Sequence, residues 1–267
     1  MLVTFLAVMT ALVYLVATGI QLMHIVQRRA QIDRKVLILG LLALLGHAIV
    51  AWNGVVVDGT ISMGFYKVPA LLFLVINIAC ISILLRRPIQ NLLVVLFPLS
   101  AMSVLVSIFS PDTVGADGQM PRGVLIHVAS SLFAYSVLTL AAFQAALVAV
   151  QDHQLKHRHT RGIIQVLPPL QTMETMLFEL LWVGVVLLTL SIGSGMVFLD
   201  DIFAQHLVHK TVLTIIAWCL FSILLWGHSR RGWRSQTAVR LTLAGFTLLM
   251  LAYFGSKLVL ELVLHRP

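Results

Sequence analysis

VLIHVASSLFAYSVLTLAAFQAALVAV, residues Val124 to Val150, runs through 27 positions without one charged side chain. About 20 apolar residues at ~1.5 Å each cover the ~30 Å hydrocarbon core of a bilayer, so this stretch is long enough to cross one. It shows none of the apolar/polar alternation of a barrel strand, and a helix satisfies its own backbone amides in lipid. Outward from it lie seven further runs of the same character. Leu2–Val26, Val36–Val57, Val68–Leu85 and Leu92–Phe109 precede it, and Met176–Leu199, Thr211–Trp226 and Ala238–Leu264 follow it. The expected fold is an all-α integral membrane protein, a bundle of eight transmembrane helices forming a single polytopic domain over residues 1–267. The first run lacks a basic leader and a small-residue cleavage site, and is read as a retained helix.

Composition agrees. Of 267 residues, 60% are hydrophobic and only 10% charged, whereas a soluble domain carries about a quarter charged residues. The net charge of +8 would suggest nucleic acid in a soluble protein, but here placement explains it. Thirteen of the 18 lysines and arginines fall in the first, third, fifth and seventh loops. By the positive-inside rule those loops are cytoplasmic and both termini lie on the outer side. The lipid bilayer, not nucleic acid, is the expected partner.

The chemistry that the motifs exclude is also informative. Cys80 and Cys219 sit in different apolar runs with no C-x-x-C spacing, so no redox pair or thiolate metal cage is indicated. There is no nucleotide-binding loop, serine nucleophile elbow or H-E-x-x-H, and no enzymatic activity is expected. The longest loop, "QDHQLKHRHTRGIIQVLPPLQTMET", begins as a basic continuation of the fifth helix and turns at Pro168-Pro169. Despite His153, His157 and His159 it reads as a solvated hairpin.

Histidines inside the spans carry the functional signal, because an ionisable group in lipid faces the bundle interior and finds a partner or ligand there. A neutral imidazole can ligate haem iron through one nitrogen while the other is held by a hydrogen bond. His47, in "LLGHAIVAW", lies mid-span; it reads equally as a ligand or as a core histidine bonded across the bundle. His127 lies one turn inside the fifth run, on a face of small residues suited to close helix packing or to the edge of a flat macrocycle. His228, in "LLWGHSRRGWRS", stands at the inner end of the seventh run, where interfacial histidines, tryptophans and arginines are ordinary. Arg230, Arg231 and Arg234 beside it are candidates for neutralising haem propionates. His206 and His209, three residues apart, would chelate a metal only with Asp200 or Asp201, and a wet loop is the simpler reading. His24 and His265 read as interfacial, and Glu179 as an interfacial carboxylate.

Several passages together resemble the CcsA/HemX-type cytochrome c assembly superfamily, and within it the YpjD-like inner-membrane branch. They are "GHAIVAW", "LIHVASSLFAYSVLTLAA", "LPPLQTMETMLF" leading into "GVVLLTLSIGSG", "HKTVLTIIAWCLFSILLWGHSRRGWR" and "LAGFTLLMLAYFGSKLV". The resemblance spans nearly the whole chain and implies a multi-pass protein of the bacterial inner membrane with its termini on the periplasmic side. It also implies a b-type haem with histidine ligation, one or both axial ligands coming from His47, His127 and His228. In haem-handling members of this superfamily, paired histidines bind haem in the membrane and at its outer face, beside a tryptophan-rich external segment. Here that segment reads "MVFLDDIFAQHLVHKT", which keeps Lys210 and lacks the tryptophans. Aligned from Lys210, the superfamily's inner histidine column falls on Trp226, with His228 two residues later. Two residues turn a helix by about 200°, so His228 points the other way unless the helix ends at Gly227. His47 and His228 are also separated by roughly 15 Å along the membrane normal, too far for one iron: either the spans are tilted or shifted, or His47 pairs with His127 nearer the outside and His228 serves propionates or packing.

Three readings follow. The first is a non-catalytic haem-binding bundle that stores, moves or presents haem or regulates its supply, working with a second membrane protein of haem or cytochrome biogenesis. The second is a structural or regulatory membrane partner that keeps the fold and has lost haem, which the absent tryptophans support. The third, a metal or proton transporter using His206, His209 and Glu179, has the least behind it.

Overall fold

A computed structural model describes residues 1–27, 33–57, 60–61, 66–109, 121–157, 167–198 and 208–255. Among them eight α-helices follow one another: α1 Leu2–Val26, α2 Arg34–Val55, α3 Lys67–Leu84, α4 Leu93–Ile108, α5 Arg122–Lys156, α6 Leu170–Phe198, α7 Val208–Arg231 and α8 Gln236–Met250. A one-turn 3-10 segment, Gln90–Leu92, leads into α4, and a π-turn, Leu251–Gly255, continues α8. After α2 comes a two-residue antiparallel ladder, β1 Val56–Val57 with β2 Thr60–Ile61, which pairs Val56 with Ile61 and Val57 with Thr60.

Among the described residues seven helices are long and apolar enough to cross a membrane: α1 to α7, counting the 3-10 turn with α4. The eighth expected span, Ala238–Leu264, is described only as far as Gly255. Several helices outrun the apolar stretches that announce them. α5 continues two turns past Val150 through Lys156, α6 begins at Leu170 rather than Met176, and α7 runs from Val208 to Arg231 rather than Thr211 to Trp226. Polar residues end a hydropathy run but not a helix, whose backbone bonds continue into the interfacial layer.

The helices fall into two compact units, α1–α4 and α5–α8. In the first, α1 packs against α2 and α4, and α3 closes the ring against the same two. Small residues allow the close approaches. Gly46 faces Thr10 of α1, and a Cβ on Gly40 would lie 2.9 Å from Phe97 Cζ of α4. Pro98 sits inside α4, a position that helices in lipid tolerate better than those in water. In the second unit α5 packs against α6 and α8, and α7 against α6 and α8. Gly184 accepts Leu138, and Phe221 would come within 2.7 Å of a Cβ on Gly245.

The corner between α1 and α2 is tied by Asp33. Its Oδ1 accepts from the Lys35 amide at 2.8 Å and caps α2, while Oδ2 lies 3.2 Å from His24 Nε2 in the last turn of α1. His24 is thus an end-of-helix residue, as expected. Asp33→Ala removes the cap and should lower stability by about 1 kcal/mol. Asp33→Asn, which keeps an acceptor, should restore most of that in detergent thermal unfolding; equal midpoints for all three proteins would remove the cap from the account.

Candidate functional site

The candidate histidines belong to different units, His47 to the first and His127 and His228 to the second. Their two ring nitrogens are used differently, and that difference sorts them.

His47 is completely buried in α2. Its Nε2 lies 2.9 Å from the Ala70 carbonyl of α3, and its Nδ1 lies 3.2 Å from the Tyr14 hydroxyl of α1. A carbonyl only accepts, so Nε2 carries the proton and Nδ1 accepts from Tyr14. The Tyr14 ring meets the imidazole edge-on, with centroids 5.8 Å apart, and packs on Phe97 at 5.2 Å. Both nitrogens are therefore taken by a three-helix tie, and ligating iron through Nδ1 would require the tyrosine hydroxyl to leave. Tyr14→Phe keeps the shape but deprives buried Nδ1 of its donor, which should destabilise the protein by about 1–3 kcal/mol. A melting midpoint equal to wild type would dissolve the tie.

His127, half-buried on α5, is the centre of a serine cluster shared with α6. Its Nδ1–H donates to the Ser191 carbonyl at 2.9 Å, with Ser194 Oγ at 3.4 Å. Ser130 and Ser131 hydroxyls donate to the His127 carbonyl at 3.0 and 2.6 Å, and Ser131 Oγ meets Ser191 Oγ at 2.7 Å. The face of small residues read from the sequence is thus a hydrogen-bonded seam between α5 and α6. With Nδ1 protonated, the lone pair is on Nε2, for which the described residues provide no hydrogen bond.

His228 is held in the same tautomer. Helix α7 does not end at Gly227 but continues through Arg231 and stops at Gly232, whose φ of +67° suits glycine. The turn then folds back: the Trp233 amide donates to the Gly227 carbonyl at 3.2 Å and its indole lies over Gly227, where any Cβ would collide with it. The Trp233 carbonyl accepts from His228 Nδ1–H at 2.9 Å. Phe178 of α6 stacks on the imidazole, with centroids 3.5 Å apart and planes 15° from parallel. Across the 200° offset between them, Trp226 is 52% exposed, while the His228 imidazole packs against α6.

The three arginines separate as well. Arg230 and Arg231 are exposed, and the Arg231 guanidinium sits 5.1 Å from the Trp226 ring centroid, a cation–π contact. Arg234 is bound to Glu174 of α6, with Nη2 at 2.8 Å and Nε at 2.9 Å from the same oxygen. The other carboxylate oxygen accepts the Ser235 amide at 3.0 Å. Glu174, only 5% exposed, was missed in the sequence because it lies outside the apolar run. Glu179 is exposed on α6.

His209 is exposed in the first turn of α7, while His206, Asp200, Asp201, His159 and His265 lie outside the described residues. Among the described residues no group of three or more histidine, cysteine or carboxylate side chains could hold a metal ion. His153 and His157 stack on the polar end of α5, with ring centroids 4.2 Å apart, and Cys80 and Cys219 are free thiols.

The helical architecture, with seven apolar helices among the described residues, agrees with what the whole chain matches. The family model "Cytochrome C assembly protein" covers residues 2–264, and the chain belongs to that family. It is 32% identical over 259 residues to the inner membrane protein YpjD of Escherichia coli strain K12, covering 95% of this chain and 98% of that one. It is also similar to an uncharacterized 28.8 kDa protein of Azospirillum brasilense, 32% identical over about half of each chain (52%). Protein HemX of Brevibacillus brevis is 24% identical over 49% of each. No solved structure matches the chain.

Proposed function

We propose that this protein binds haem in the bacterial inner membrane, with His127 and His228 each offering one Nε2 lone pair to iron, and that it handles haem without catalysing a reaction. The observation that carries the reading is the shared preparation of the two rings. In each, Nδ1–H is committed to a backbone carbonyl, the arrangement that fixes a metal-binding histidine's tautomer and orientation. Family membership and the inner-membrane relative support the setting. The haem itself, when bound, supplies the iron and a flat apolar ring suited to a site between helices. The expected form is a b-type haem with histidine-ligated iron.

The two imidazoles lean on α6 at Phe178 and Ser191, thirteen residues or about 20 Å apart along the helix. One iron cannot take both, so the reading is of two levels: His127 toward the outer face and His228 toward the inner. The expected topology has both termini outside, Ala238–Leu264 as an eighth span and a single polytopic domain over residues 1–267. Arg230, at the inner rim beside His228, is the arginine left to meet a propionate. Arg231 and Arg234 are held by Trp226 and Glu174. A second membrane protein of haem or cytochrome biogenesis receives or delivers the haem.

The test is the visible spectrum of the full-length protein, purified in mild detergent and titrated with hemin, with and without reductant. A Soret band that saturates and shifts on reduction is expected. Protein that stays colourless and takes up no hemin overturns the reading. That outcome would favour the second one, a membrane partner that keeps the fold without haem, for which the saturated bonding of His47 already speaks.

A further inference from the structure

We infer that Glu174 is a positioning residue for His228: it anchors the α7–α8 turn whose Trp233 carbonyl holds the imidazole's Nδ1 proton, so that Nε2 is presented for ligation. The inference rests on the haem reading for its purpose, though the anchoring itself stands on geometry within the second unit.

Residues Gly232 to Ser235 connect α7 to α8 with two positive-φ positions, Gly232 at +67° and Ser235 at +44°. A side-chain-bearing residue takes such a φ at a cost and keeps it only where its surroundings enforce it. Part of the enforcement here is the buried Glu174 carboxylate. One oxygen takes both Arg234 bonds, and the other takes the Ser235 amide, so two consecutive turn residues hang from one side chain of α6. Trp233, immediately before them, is pinned from its other side by its amide bond to Gly227 and by its ring over that glycine. Between these two anchors its carbonyl faces His228 Nδ1.

Glu174 and Phe178 are one turn apart on α6 and so share a face of that helix. Phe178 fixes the plane of the imidazole by stacking, and Glu174, through the turn, fixes its proton. Arg234, one of the three propionate candidates in the sequence, is bonded to this anchor. The carbonyl is thus a second-sphere partner of the ligand, and Glu174 acts one step further out.

The test uses the full-length protein in detergent with ¹⁵N-labelled histidine, in a His127→Ala background so that only one site is read. Without haem, His228 is expected to show a single tautomer protonated at Nδ1. Glu174→Ala should convert it to a mixture, and hemin affinity should fall about 10- to 100-fold, the usual effect of losing an outer-sphere partner. Glu174→Gln, which keeps one acceptor oxygen, should fall between. If Glu174→Ala does not fold, Arg234→Ala removes two of the three anchoring bonds from the exposed side and should shift the same two readouts. An unchanged Nδ1–H tautomer with wild-type affinity in the anchor variants overturns the inference. Unchanged hemin binding in His228→Ala overturns the haem reading instead, and the nitrogen shifts still decide whether Glu174 holds the ring.

Discussion

In the hemin-saturated protein, His127→Ala and His228→Ala are each expected to remove about half of the Soret absorbance, and the double variant all of it. On the haem reading proposed above, contacts about 20 Å apart along α6 put the two rings in separate sites, and changes at such distances act independently. Outer-sphere partners are worth 10- to 100-fold in metal affinity, so loss of a ligand should weaken its own site by about 100-fold or more. His47→Leu is expected to behave differently. It breaks the tie between Tyr14 and Ala70 and lowers stability, but leaves the spectrum of whatever protein remains folded unaltered. A double variant with the wild-type spectrum would eliminate both ligands, and a His47→Leu protein without a Soret band would return His47 to the ligand set.

Gly227→Val should be the most damaging change to the inner end of the second unit. The added Cβ collides with the Trp233 indole, which sits on the same residue whose carbonyl bonds His228 and whose amide bonds Gly227, so the displacement loads both bonds. Overpacking of this sort costs about 1–3 kcal/mol. Thermal unfolding in detergent should show that loss, and hemin binding should drop at the His228 site alone. Wild-type melting together with wild-type binding would mean that the ring does not need this seat.

Much of the architecture was legible in the sequence because a membrane helix is announced by its own residues. Val124–Val150 needs no knowledge of its neighbours to be read as a span. Helix ends are another matter, since the polar segments at 170–175 and 227–231 continue helices whose apolar runs have stopped. Glu174 lies in such a segment, outside the apolar run that holds Glu179, and so carries no membrane signal of its own. The histidines were legible as positions but not as chemistry. Which nitrogen is committed depends on Tyr14, Ala70 and Ser191, residues 33, 23 and 64 positions away, and nothing local points to them. The Arg234 partner in the second unit, Glu174, is equally illegible, lying 60 residues upstream. Helical phase alone told that Trp226 and His228 face opposite ways, but only packing against Phe178 tells which one turns inward.

Helix α6 supports both prepared rings, at Ser191 near one end and at Glu174 and Phe178 near the other. One helix thus carries both contacts about 20 Å apart, so a single residue inserted into α6 between 178 and 191 would turn the support of one ring by about 100° relative to that of the other.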